Sequence, residues 1–214
     1  MTRAAIAVAL SISLAACGKK ADDVKNAISA VQAVASGKVE EGLKDAEKLQ
    51  QERVAKGDTL AMPYADLKNF LPTDVSGYTA SGSPEGSSQN MAGFSMSQTR
   101  QRWTGPAGAD GSTPEVEVSL VDLGGTQQGY AMMAAQLMMG FSQEDDHHKA
   151  GSVKVDLPYT AGWEEFNKDS KDAKFTAVTR YRYMITVEAR NQTEDQSKMV
   201  RSIAEEIVKK FEGK

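Results

Sequence analysis

Residues 181–189 read YRYMITVEA, and this stretch decides the class of fold. It is rich in β-branched and aromatic side chains, which are typical of β-strands. Successive side chains of a strand point to opposite faces, so Tyr183, Ile185 and Val187 share one apolar face. A sheet with an apolar face must bury it under another layer of structure.

Further strands are predicted on the N-terminal side of this stretch. Residues 162–167 and 174–178 predict two strands joined by a polar turn at 168–170. Residues 94–104 and 116–123 show alternating patterns of their own. Short connections between strands imply antiparallel pairing.

The segments between these strands are less regular. Residues 81–90 are rich in glycine and serine and predict a polar loop, and residues 104–114 predict a second loop. Residues 153–157 predict a short strand that Pro158 ends.

Two segments predict the helices that cover the sheet. Residues 127–141 are rich in methionine and alanine and apolar on most sides, which is typical of a core-facing helix. Residues 196–211 place apolar side chains at helical spacing. The sequence therefore predicts an α+β fold: an antiparallel sheet packed by two helices and preceded by an N-terminal amphipathic helix.

The N-terminal helix is predicted over residues 21–56, where apolar side chains recur at helical spacing among good helix formers. Two interpretations are open. The helix is a stalk or coiled coil that holds the domain away from a membrane, or it is folded against its own domain.

The order of elements over residues 72–212 resembles the PsbP-like α/β/α folds. No specific motif accompanies this resemblance, so it concerns the fold and implies no activity.

The first residues have the pattern of an exported and processed segment. Arg3 precedes a short apolar run that ends in Leu14-Ala15-Ala16-Cys17. A helix that spans a bilayer needs roughly 20 apolar residues, and this run is shorter. The last four residues resemble the bacterial lipobox at every position. The resemblance implies cleavage before Cys17 and a membrane anchor of fatty acyl chains, such as palmitate, on that residue.

Three parts of the chain follow from this interpretation: a signal peptide (1–16), a lipidated N-terminus with a helical tether (17–57) and an α+β globular domain (58–214). Gly18 is not the aspartate that favours inner-membrane retention in enterobacterial lipoproteins. The resemblance therefore favours the periplasmic face of the outer membrane over the inner membrane.

Composition excludes several classes of function. The net charge of −4 argues against binding to nucleic acid, which requires clustered lysine and arginine. Cys17 is the only cysteine, which excludes a disulfide framework and a metal site built from cysteines. We expect no cofactor.

The densest polar cluster is EDDHH at residues 144–148. Carboxylates and imidazoles bind Zn²⁺ or Cu²⁺, so Asp145, Asp146, His147 and His148 are candidate ligands. Neighbouring residues rarely point at one ion, however, and the H-E-x-x-H spacing is absent. The sequence favours a solvated loop after a helix and no metal site.

A basic and aromatic face is a second candidate site, formed by Arg100, Arg102, Trp103, Arg180 and Arg182. Such a face could bind an anionic glycan or a lipid headgroup. The favoured alternative is that these arginines form cross-strand pairs on a solvated sheet face with Glu115, Glu117 and Glu188.

No catalytic motif is evident, because both histidines are adjacent and no serine lies in G-x-S-x-G. The sequence favours a non-enzymatic binding or structural module of the cell envelope, with the membrane and an envelope protein as partners. The alternatives are an envelope hydrolase with an unrecognised site and a metal-handling lipoprotein that uses residues 144–148.

Overall fold

The centre of the molecule is a nine-stranded sheet in which all neighbouring strands are antiparallel. The α+β class and the antiparallel pairing predicted from the sequence are thus confirmed. This computed structural model describes residues 37, 40–92, 94–109, 111–124, 129, 133, 140 and 142–212.

The strands follow one another along the chain as two meanders. Their bounds are β1 Thr79–Ala80, β2 Glu85–Met91, β3 Phe94–Thr104, β4 Glu115–Asp122, β5 Ser142–Glu144, β6 His148–Val153, β7 Thr160–Asn167, β8 Ala173–Thr179 and β9 Tyr183–Arg190. Across the sheet the order is β1-β3-β4-β9-β8-β7-β6-β5, and β2 also pairs with β3. Strands β1 and β2 therefore share one edge, and β5 forms the other.

The continuous helical segments among the described residues are α1 at residues 40–55, the short α2 at Tyr64–Leu67, which continues as a 3₁₀ turn at Lys68–Phe70, and α3 at Ser197–Phe211. The predicted helix at 196–211 is confirmed by α3.

The face of the sheet beneath α3 carries the main core. Ile185 and Val187 of β9 are fully buried there, as the alternation of 181–189 predicts. Phe211 of α3 stacks on Phe70 with ring centroids 4.2 Å apart and on Tyr183 at 4.3 Å. These contacts join the last helix to the 3₁₀ turn and to the central strand.

The opposite face of the sheet is apolar only at one end, and α1 packs there. Ala46 and Leu49 of α1 are buried against Leu123, Val178 and Tyr181. The described part of the N-terminal helix therefore lies against its own domain. Of the predicted helix at 21–56, residues 21–36, 38 and 39 lie outside the described residues.

The second predicted covering helix, residues 127–141, lies mostly outside the described residues. Gly129 and Met133 are both helical, and the Met133 side chain is buried in the cluster beneath α1.

Two sequence predictions about strands were wrong. Residues 81–90 are not simply a loop, since most of them lie in β2, where pairing with β3 outweighs the weak strand preference of glycine and serine. The strand predicted at 153–157 lies earlier, at His148–Val153, because its register is set by pairing with β7.

In the part of the chain that the structure describes, no helix has the length and apolar character needed to cross a bilayer.

Candidate binding site at an uncovered sheet edge

Strand β2 lies along an edge of the sheet, and six of its seven residues are exposed. Residues 86–91 read GSSQNM and contain neither a charged residue nor a proline. Proteins normally protect an exposed edge with charges, prolines or a covering element, because its backbone can pair with another chain. The other edge, β5, is three residues long and ends in Glu144. Strand β2 is thus the better template for an added strand.

The pairing of β2 with β3 determines which backbone groups face outward. Met91 pairs with Phe94 across a two-residue connection, and in such hairpins the pair beside the turn is hydrogen-bonded. Bonded and non-bonded pairs alternate along an antiparallel ladder. The N–H and C=O groups of Gly86, Ser88 and Asn90 therefore point away from β3.

A groove of about 380 Å³ lies beside these outward groups. One wall is the segment 57–63, which we call the wall segment, and the other is formed by Ser88 and Asn90. Leu60 of the wall segment is 57 % exposed and lends the groove apolar surface. A strand added to β2 would direct every second side chain toward this groove.

Hydrogen bonds attach the wall segment to the two nearest strands. The Ala61 N–H donates to Ser95 Oγ of β3 at 2.6 Å. Immediately after the segment, the Tyr64 N–H donates to Ser88 Oγ of β2 at 2.8 Å. The wall segment is therefore attached to both strands next to the edge.

The buried ion pair of Arg182 and Asp122 also holds the wall segment in place. Arg182 Nη2 donates to Asp122 Oδ2 at 2.6 Å, and Arg182 Nε donates to Asp122 Oδ1. The second lone pair of Oδ2 accepts the Met62 N–H at 2.7 Å, and Oδ1 accepts the Gly124 N–H at 2.8 Å. Arg182 Nη2 also donates to the Leu60 carbonyl at 3.0 Å.

Both members of this pair are almost fully buried, with 3 % of Arg182 and none of Asp122 exposed. Burial raises the pKa of the Asp122 carboxyl to about 7, while the N–H groups of Met62 and Gly124 act in the opposite direction. Since its oxygens are enclosed by donors, Asp122 is a positioning residue for the wall segment.

The end of α1 is tied into the same network. Arg53 Nε donates to Asp58 Oδ2 at 2.9 Å, and Arg182 Nη1 donates to the same oxygen at 3.3 Å. Asp58 thus connects the helix, the wall segment and the buried pair.

The structure separates the five residues of the predicted basic and aromatic face. Arg100 and Arg102 lie on the exposed face of β3, whereas Trp103 is buried on its opposite face. Arg180 lies in the turn between β8 and β9, and Arg182 forms the buried ion pair. The five side chains therefore do not form one surface, because alternation along β3 and the turn before β9 point them in different directions.

The arginines that do share a face are paired with carboxylates. Arg102 Nη2 lies 2.8 Å from Glu117 Oε2, and its Nε lies 3.8 Å from Glu115. Arg100 Nη2 lies 2.8 Å from Glu85 Oε2. The two pairs of Arg102 are those favoured by the sequence, whereas Arg100 pairs with Glu85 and Glu188 pairs with Lys174 and Arg190.

Residues 145–147 form the exposed turn of the β5–β6 hairpin, between Glu144 at the end of β5 and His148 at the start of β6. Asp145 Oδ1 accepts the N–H groups of His147 at 2.9 Å and His148 at 2.7 Å, and these bonds lower the pKa of Asp145. Asp146 lies exposed in the turn. The Asp145 side chain therefore shapes the backbone.

His147 Nδ1 lies 2.8 Å from Asp169 Oδ2 in the neighbouring turn. Across the described residues, no group of three or more His, Cys, Asp or Glu side chains is arranged to hold a metal ion.

Cys17 and the whole lipobox lie outside the described residues. No protein-family model matches the chain, and no curated protein matches it either.

Sequence reasoning missed the groove and, apart from Arg182, the residues that shape it. Asp122 occupies the last position of the inward-facing series Val116, Val118 and Leu120. A carboxylate that continues an apolar series is a signal of a buried partner, because an unpaired charge is costly to bury. Strand β2 itself gave no comparable signal.

Proposed function

We propose that this protein is a lipid-anchored lipoprotein of the bacterial envelope that faces the periplasm and binds an extended segment of another envelope protein. The observation that carries the binding proposal is the exposed edge strand β2, uncharged over residues 86–91, beside the groove formed by the wall segment. The anchor is supported by the lipobox pattern that ends at Cys17.

The mode of binding is addition of a strand to the sheet. The outward backbone groups of Gly86, Ser88 and Asn90 would pair with the backbone of the partner, which supplies affinity with little dependence on sequence. Alternate side chains of the partner would lie against Leu60 in the groove, which supplies specificity for apolar residues. The fixed wall segment lowers the entropy lost on binding, because little ordering is needed.

The positions of the described histidines and of Asp122 favour binding over catalysis. His147 lies in the turn between β5 and β6, His148 begins β6, and neither side chain lines the groove. Asp122 is enclosed by Arg182 and two backbone donors, which leaves it out of reach of a substrate.

Site-specific photo-cross-linking in intact cells tests the binding mode. A photoreactive residue replaces Gln89, whose side chain is exposed on β2, and a matched variant carries it at exposed Ala107 in the loop between β3 and β4. We expect an adduct with another envelope protein from position 89 and none from position 107. Equal adducts at both positions, or adducts at position 89 only to a second copy, would contradict the proposal.

The anchor is tested separately with the Cys17→Ser variant. We expect the unaltered protein to incorporate a labelled fatty acid and to fractionate with membranes, and the variant to do neither after processing. A processed variant that still fractionates with membranes would contradict the lipid anchor.

A further inference from the structure

The two ends of the sheet differ in polarity. Five residues that pair across neighbouring strands form a row near one end of the sheet. We call the part of the molecule that lies on the side of this row with the β2–β3 hairpin tip the hairpin end. The row consists of Ser97, Asp122, Tyr183, Thr179 and Thr160.

The hairpin end carries most of the exposed apolar surface. Seven large apolar or aromatic side chains are exposed among the described residues, and six of them lie at this end or on α1, which packs there. The most exposed is Met91 at 68 %, at the tip of the β2–β3 hairpin, where Phe94 is 37 % exposed. The remaining four are Leu43, Val54, Leu60 and Tyr159.

The opposite end is polar. Its turn between β7 and β8, residues 168–172, reads KDSKD. None of the exposed large apolar side chains that the structure describes lies at this end. Met91 and Phe94 pair across the hairpin tip, and adjacent exposed apolar side chains of this kind mark an interaction surface.

The chain that leads to Cys17 precedes α1, whose buried side chains pack against Leu123 and Tyr181 of the hairpin end. Residues 18–39 lie between Cys17 and the continuous described part of α1. Fully extended, that stretch would reach up to about 75 Å at about 3.4 Å per residue, so it permits contact with the membrane without enforcing it. A tethered domain that can reach a surface meets it at a high effective concentration.

We propose that the hairpin end docks on the lipid bilayer that holds the lipid of Cys17, with Met91 and Phe94 entering the interfacial region. This inference rests on the proposed lipid anchor. It goes beyond the anchor because it assigns an orientation: β2 meets the bilayer at Met91, its other residues run away from the bilayer, and the polar end faces the periplasm.

Apolar insertion, and not charge, drives this contact. The helix α1 carries acidic and basic residues side by side, such as Glu40 with Lys44 at 2.9 Å. Contact through a mixed-charge surface depends little on ionic strength, whereas contact through a basic patch weakens with salt. Zwitterionic vesicles are therefore the appropriate probe.

Tryptophan fluorescence in the full-length lipidated protein tests the orientation. Phe94→Trp and Ala107→Trp place an added indole at the hairpin end and at the opposite end. Each variant is reconstituted into phosphatidylcholine vesicles with or without brominated acyl chains, which quench nearby indoles. The unaltered protein supplies the background from Trp103 and Trp163, and Met91→Trp is a second probe of the hairpin tip.

We expect the added fluorescence of Phe94→Trp to be quenched at least two-fold more than that of Ala107→Trp, with no change in 0.5 M NaCl. Met91→Trp should behave like Phe94→Trp. Proteins that float with the vesicles but show equal quenching at both ends would overturn the orientation and leave the anchor standing. Proteins that do not float with the vesicles would overturn the anchor and, with it, this inference.

Discussion

Removal of the Arg182 guanidinium tests whether the buried ion pair holds the groove in place. Arg182→Met keeps most of the aliphatic stem but leaves the Asp122 carboxyl, fully buried, without its guanidinium partner. Breaking a buried pair by removing one partner costs about 3–5 kcal/mol. For a domain of this size, that loss lowers the melting temperature by roughly 6–20 °C.

The loss in free energy of unfolding distinguishes a buried ion pair that positions the wall segment from an ion pair at the surface. Asp122→Leu should cost at least as much, because the N–H groups of Met62 and Gly124 would lose their acceptor, at about 1–3 kcal/mol each. In the double variant Arg182→Met/Asp122→Leu no buried charge remains. Its cost should therefore be clearly smaller than the sum of the two single costs.

Chemical denaturation of the two single variants and the double variant, all in a Cys17→Ser background, measures these free energies of unfolding. A cost below about 1 kcal/mol for Arg182→Met is the value of an exposed pair and would refute the reasoning. Additive costs in the double variant would refute it as well, since they would show that the two side chains do not interact.

Three further substitutions probe other parts of the account. Leu49 lies on the buried side of α1 and is 7 % exposed, so Leu49→Ala should lower the free energy of unfolding by about 2–4 kcal/mol in chemical denaturation. A negligible loss would show that the helix does not pack on the domain. Arg102→Ala should cost less than about 1 kcal/mol by the same measurement, because the Arg102 side chain is itself 45 % exposed, and a larger loss would contradict the view of this face as a solvated one. Gly124→Ala should lower the free energy of unfolding by about 1–3 kcal/mol, since Gly124 has φ +63° and an added Cβ would lie 2.6 Å from the Ser95 carbonyl oxygen. An unchanged value would contradict the close packing of Gly124 against Ser95.

The central strands are predictable because apolar and polar side chains alternate along them. Residues 116–122 and 181–189 alternate strongly, so the burial of one face follows from the sequence alone. The amphipathic pattern of α3 is predictable for the same reason. Strand β2 is different: GSSQN has no apolar alternation, and only its pairing with β3 makes it a strand.

The candidate site was less predictable than the fold. Arg182 and Asp122 are 60 positions apart in the sequence, and their contact follows from the neighbouring registers of β4 and β9. The sequence therefore identified Arg182 as a charged residue of interest but assigned it to an exposed face. The groove depends on the wall segment, whose position comes from these tertiary contacts and not from local pattern.

The most direct test of the central claim is the yield of the position-89 cross-link in Ser88→Pro compared with Ser88→Ala. Both variants lose the hydroxyl that accepts the Tyr64 N–H, but only the proline removes the outward backbone N–H. Proline is tolerated where an edge N–H faces solvent, so pairing with β3 should persist. Loss of one hydrogen bond of about 1.5 kcal/mol, together with the steric bulk of the ring, should reduce the yield roughly ten-fold in Ser88→Pro. Ser88→Ala should retain a yield close to that of the unaltered protein, and equal yields from the two variants would contradict strand addition at β2.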